Sequence, residues 1–209
     1  IFADKHQDLY ERYDQMPGLA TRVRLNANLR NAQQIADFSR TLLPAEAQNM
    51  LILPLSGDGI HISAPADTPE ERAAEVSRII AELLRSKPGI QPRDIVVLSP
   101  WRTVHPRCSL KHVPGLAIAP TDELPEEAAE RRDSCRAPHA RQIFASTVKS
   151  YKGQEAAYII VTDVIGLGES KGFDMKELYT ACTRARYGLF IVPSTSGHAL
   201  VSSFISSGS

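Results

Sequence analysis

The chain has 209 residues, 24 Lys+Arg against 24 Asp+Glu, 43% hydrophobic and 23% charged residues. That much apolar material fills a core and excludes wholesale disorder, and a formal charge of zero excludes a generally basic coating protein while leaving room for a local basic groove. No apolar run approaches the roughly 18 residues of a membrane span, and IFADKHQDLY (Ile1–Tyr10) does not read as a signal peptide. Three cysteines, an odd and sparse set, point to a reducing compartment, so the expected location is cytoplasmic. The sequence opens on Ile1 in mid-pattern and is expected to be a piece of a longer protein.

In chain order, a strand-like Arg22–Asn26 leads to a helical stretch, Ala32–Leu43. Two short apolar stretches follow, Met50–Pro54 and Ile60–Ala64, separated by the turn signal Ser56-Gly57-Asp58-Gly59. Thr68 has the character of an N-cap, with Pro69 at the first helical position and Glu70 and Glu71 at the positive end of the dipole. Apolar residues at Ala73, Val76, Ile79, Ile80, Leu83 and Leu84 recur at helical spacing, which predicts a helix over Pro69–Ser86 ended by Pro88-Gly89. Asp94–Pro100 is a continuous β-branched run of the kind buried on both faces of a parallel sheet, and Gln142–Val148 and Tyr158–Val164 read the same way. Lys176–Tyr187 reads as a helix, followed by a strand at Leu189–Val192 and a last helix near His198–Ile205. Strands alternating with helices predict an α/β fold with a mostly parallel sheet. Residues 1–209 are read as one domain, with an irregular, proline-bearing surface insertion at about 103–140.

In such sheets ligands sit at the carboxyl ends of the strands, which directs attention to the segments after Val148 and Val164 and around the Lys176–Tyr187 helix. TVKSYKGQE (Thr147–Glu155) leaves a buried strand with two lysines, two hydroxyls and a glycine, donors and charge that suit phosphate, although a plain polar turn accounts for it as well. Arg184, in YTACTRAR (Tyr179–Arg186), is placed either to clamp a transferring phosphoryl group or to favour the negative end of a helix dipole. Arg30 in LNANLRN (Leu25–Asn31) and Gln7 in ADKHQDLY (Ala3–Tyr10) are surface polar residues by default. Cys108-x-x-x-His112 and Cys135-x-x-x-His139 repeat one Cys/His spacing, but not at the intervals of common zinc modules, so no metal site is expected.

Taken together, in order and wording, these segments resemble the second RecA-like domain of superfamily 1 helicases of the UvrD/Rep/PcrA type. ADKHQDLY resembles motif III, LNANLRN motif IV, DIVVLSPWR the intervening strand called IVa, TVKSYKGQE motif V and LYTACTRAR motif VI, so the resemblance spans essentially the whole chain. It implies a RecA-like α/β fold of the P-loop NTPase type. The sequence nevertheless has no G-x-x-x-x-G-K-[ST] of its own.

The resemblance implies roles residue by residue. Gln7 would sense the γ-phosphate, Arg30 and Arg184 would stabilise its transition-state charge, and Glu155 would bond the ribose. Gly153, counted with the ATP site, would with Lys152 shape the loop between the nucleotide and strand sites. Thr147, Lys149 and Ser150 would touch the backbone of a single strand, with Tyr10 near its bases. Ala3 stands where motif III has Gly, Leu29 where motif IV has Tyr, and Lys149 where motif V has His. The implied partners are single-stranded DNA, RNA less so, and an upstream P-loop domain of the same protein that would bring the rest of the site for ATP and Mg²⁺. Without that domain the fragment is expected to be inactive. The alternative is a helicase-like scaffold that has lost catalysis.

Overall fold

The computed structural model describes residues 27–28, 30–44, 48, 51–118, 142–166 and 173–206. Among them the strands are β1 (Ala27–Asn28), β2 (Leu51–Ile52), β3 (Gly59–Ile62), β4 (Ile95–Ser99), β5 (Leu116–Ile118), β6 (Ile143–Thr147), β7 (Ala156–Val164) and β8 (Ala185–Pro193). The α-helices are α1 (Gln33–Thr41), α2 (Pro69–Ser86), α3 (Met175–Cys182) and α4 (Thr195–Ser206). A six-stranded sheet runs in the order β3-β8-β7-β4-β6-β5, and every described pairing in it is parallel. β1 and β2 form a separate two-residue parallel ladder. The fold is therefore the expected α/β, a parallel sheet flanked by helices.

Both faces of the sheet are covered, and the pleat shows how. Val96 and Leu98 of β4 join Ile159 and Val161 of β7 in one core with Ile35 and Phe38 of α1, Leu178 of α3 and Val201 of α4. Ile95 and Val97 join Tyr158, Ile160 and Ala145 in a second core against Ala73, Val76, Ile79 and Leu83 of α2. Successive strand residues point to opposite faces, so an apolar run with no polar break is what a sheet between two helical layers requires. Each fully buried Ile, Leu or Val contributes about 1.5–3 kcal/mol, which makes the two cores the main source of stability.

α2 occupies the span its sequence signals. The Thr68 hydroxyl accepts from the Glu71 N–H at 3.2 Å, and the Glu71 carboxylate accepts from the Thr68 N–H at 3.0 Å, closing a capping box behind Pro69. Three boundaries differ from expectation. The helix expected over Lys176–Tyr187 ends at Cys182, and β8 begins at Ala185 instead of Leu189, because Ala185 pairs with Ala156 and starts the β7–β8 ladder early. The segment expected to be an irregular insertion is described as far as Ile118. That part is built into the fold: Cys108, Leu110 and Val113 are buried in the α2-side core, and β5 pairs with β6 as an edge strand. The expected strand Arg22–Asn26 lies outside the described residues.

A buried ion pair ties this part of the chain to the sheet. The Arg72 Nε is 2.8 Å from Asp163 Oδ1, with the two side chains 1% and 0% exposed. Arg72 also donates to the carbonyls of Ala66, Asp67 and Arg107, and Asp163 accepts from the Ser99 hydroxyl and the Ser109 N–H. Asp163 sits at a register shift in β7 with a left-handed φ of 62°, a conformation that Asp and Asn tolerate better than most residues. No described helix is long and apolar enough to cross a membrane.

Candidate functional site

The chain crosses between parallel strands by connections that run from a carboxyl edge back to an amino edge. Residues 148–155 make that passage between β6 and β7 as short turns, with the Tyr151 N–H bonded to the Thr147 carbonyl and the Gln154 N–H to the Tyr151 carbonyl. Tyr151 is buried, its ring 6.1 Å from that of Phe144, so the connection lies against the sheet face. α3 makes the next passage, from β7 to β8. The expectation that the chemical residues gather at the carboxyl ends therefore holds for only some of them: residues at the far end of each crossover arrive at the opposite edge.

At the amino edge of β7 and β8, three distant segments are stitched together. The Asn31 side-chain amide donates to the carbonyls of Thr183, at 3.1 Å, and of Ala185. The Ala32 N–H donates to the Arg186 carbonyl at 2.8 Å, and the Ala156 N–H to the Arg184 carbonyl at 3.1 Å. Two side chains assigned from the motifs meet there, since Arg30 Nε lies 2.9 Å from Glu155 Oε2 with both groups about half exposed. Arg186 Nη1 is 4.0 Å from the other carboxylate oxygen, so one carboxylate is shared by two cations and the cluster carries a net positive charge. Such a cluster suits a polyphosphate better than a metal ion. Gly153 takes a left-handed φ of 89° just before Gln154 and Glu155, with open space where a Cβ would sit, so its role is to turn the chain.

Arg184 is 3% exposed. Its guanidinium donates to the Thr180 carbonyl at 3.1 Å, the Gln154 carbonyl at 3.3 Å and the Thr183 hydroxyl at 3.1 Å. It thus sits at the negative end of α3, as the plainer sequence reading had it, and also binds the segment that carries Glu155.

Thr147, Lys149 and Ser150 gather at the other edge. The Thr147 hydroxyl donates to Ser150 Oγ at 3.0 Å and accepts from the Ser150 N–H at 3.2 Å. Lys149 Nζ is 3.2 Å from Glu177 Oε1 in the first turn of α3. Glu177 is buried, and burial pushes its carboxyl above the usual carboxylate range against the opposing pull of Lys149. Gln7 and Tyr10 lie outside the described residues. Of the repeated Cys/His spacing, Cys135 and His139 also lie outside them. The Cys108 thiol is buried against Ser99 and the Trp101 carbonyl, whereas His112 faces Glu70 at the surface.

Asn31, Arg186 and Glu177 were not singled out from the sequence. Arg186 carried a signal, being the second arginine of TRAR, and Asn31 directly follows Arg30; nothing local marks Glu177.

Residues 142–192, running from β6 through most of β8, match the family model of the UvrD-like helicase C-terminal domain. Among solved structures, the chain is similar to the C-terminal domain of a possible DNA helicase from Lactobacillus plantarum WCFS1, at 16% identity and a TM-score of 0.49, over 82% of this chain and 91% of that one. A search of curated proteins gives no match. The resemblance to the C-terminal domain of UvrD-like helicases is borne out over the stretch that holds Thr147, Lys149, Ser150, Glu155 and Arg184.

Proposed function

We propose that the chain is the C-terminal motor domain of a cytoplasmic ATP-dependent DNA helicase or translocase, which completes an ATP site with an upstream P-loop domain and contacts single-stranded DNA. The observation that carries this reading is the sorting of the motif residues onto two edges of one sheet. Arg30 and Glu155 meet at 2.9 Å with Arg184 braced behind them, while Thr147, Lys149 and Ser150 collect at the far edge. The first group offers positive charge for phosphates and a carboxylate for a ribose hydroxyl. The second offers hydroxyls and a lysine for a phosphodiester backbone. Mg²⁺ would be held by the upstream domain, because Glu155 is already shared by two arginines. Gln7 would couple hydrolysis to movement, and Tyr10 would lie near the bases.

The test is ATP hydrolysis by the full-length parent, with and without single-stranded DNA or RNA. Stimulation by DNA is expected, and Arg184→Ala should lower turnover by about 10³-fold or more, the range seen when supplied arginines are removed, with strand affinity retained. Unchanged turnover in that variant would sink the assignment. The catalytically inactive scaffold has one observation in its favour, the commitment of the Arg184 guanidinium to the Thr180 carbonyl at the end of α3 and to the Gln154 carbonyl before β7. Absence of hydrolysis in a correctly folded parent would establish that alternative.

A further inference from the structure

Beside the Arg30–Glu155 pair, β8 carries a bulge. Ala156 pairs with Ala185 and Tyr158 with Gly188, so three steps along β8 match two along β7. The extra residue breaks the in-out alternation and leaves Arg186 and Tyr187 exposed in succession. The Arg186 guanidinium carbon lies 5.5 Å from the centroid of the Tyr187 ring, which is 46% exposed, and the same guanidinium reaches Glu155 at 4.0 Å.

The bulge is fixed from behind. The Asp58 N–H donates to the Tyr187 carbonyl at 2.8 Å, and a Cβ on Gly57 would come within 2.5 Å of that oxygen. A Cβ on Gly188 would meet the Tyr158 ring at 2.7 Å, so β8 approaches β7 here only because position 188 has no side chain. Two glycines thus let the backbone close in around a pair of planar groups and hold them in place. Planar aromatic and guanidinium groups are the surfaces on which bases stack, with no need to read their edges.

We propose that Tyr187, braced by Arg186, is a stacking platform for the base of a nucleoside triphosphate bound at the amino edge. The inference rests on the ATP-site reading above and adds to it a residue that the motifs did not indicate. Arg186 serves both halves of such a ligand, supporting the ring on one side and bringing charge beside Glu155 and Arg30 on the other.

Equilibrium binding in the full-length parent tests it, with MgATP, baseless tripolyphosphate and a single-stranded oligonucleotide as the three probes. Tyr187→Ala should weaken MgATP binding about tenfold or more, or about 1.4 kcal/mol. Tyr187→Phe should restore the affinity, and tripolyphosphate should bind both variants alike. In hydrolysis assays the loss should fall on KM and not on kcat. An unchanged MgATP Kd in Tyr187→Ala overturns the inference while leaving the motor reading intact. Weakened oligonucleotide binding with MgATP binding intact also overturns it, by giving the ring to the strand. If the parent binds MgATP without hydrolysing it, the motor reading fails and the Kd comparison still decides the stacking role; if it does not bind MgATP, both fail.

Discussion

Replacing Asp163 by asparagine removes one charge from the interior and leaves the shape of the side chain and its left-handed backbone in place, because Asn tolerates positive φ as Asp does. The carboxylate accepts from Arg72, Ser99 and the Ser109 N–H. An amide supplies one acceptor oxygen and turns an NH₂ group toward donors. Arg72, 1% exposed, then keeps its charge with three backbone carbonyls and at most one neutral amide oxygen, and no carboxylate, as its partners in this network. Breaking a buried pair from one side costs about 3–5 kcal/mol, and those carbonyls put Asp163→Asn near 3 kcal/mol. At about 2–4 °C per kcal/mol for a chain of this size, the melting temperature should fall by about 6–12 °C. Asp163→Ala should cost roughly 1–2 kcal/mol more, since alanine resists the left-handed conformation. Urea unfolding followed by circular dichroism measures both, and a cycle with Arg72→Met isolates the coupling between the partners. Loss of less than about 1 kcal/mol in Asp163→Asn, with no coupling to Arg72, would refute the account of this network as a structural anchor.

Gly197 lies in the first turn of α4, where alanine would ordinarily favour a helix by about 1 kcal/mol. A Cβ there would sit 2.0 Å from the Val164 carbonyl oxygen, so Gly197→Ala should lower the melting temperature instead of raising it. Glu177→Gln tests the buried carboxylate through pH. Its folded pKa is raised by burial, so it favours the fold fully below its ordinary value of 4.5, and that contribution is lost as pH rises through the folded value. The variant should flatten the pH dependence of stability in the window that starts near 4.5 and extends upward. Parallel pH profiles for the two proteins would contradict this.

Elements whose signals are local were legible in the sequence. Thr68, Pro69 and Glu71 delimit the start of α2, and the apolar stretches 95–98 of β4, 143–145 of β6 and 158–161 of β7 reveal a sheet covered on both faces. β5 was not legible, because three residues among prolines make no pattern until β6 is beside them. Nor was the start of β8, where the bulge at Arg186 and Tyr187 erases the alternation that marks a strand. The motif residues could be named by chemical type, but their division between two edges depends on where each crossover delivers its far end, a property of topology. Arg72 and Asp163 stand 91 positions apart, and neither carries a local sign of the other.

α3 has eight residues, about 12 Å of rod at 1.5 Å per residue. One end grips Lys149 through Glu177, and the other is gripped by Arg184 through the Thr180 carbonyl. A rod that short does not bend, so it behaves as a strut with a hand at each end. A pull on the Arg184 guanidinium displaces the Lys149 ammonium as well, unless the ion pair at the far end gives way first.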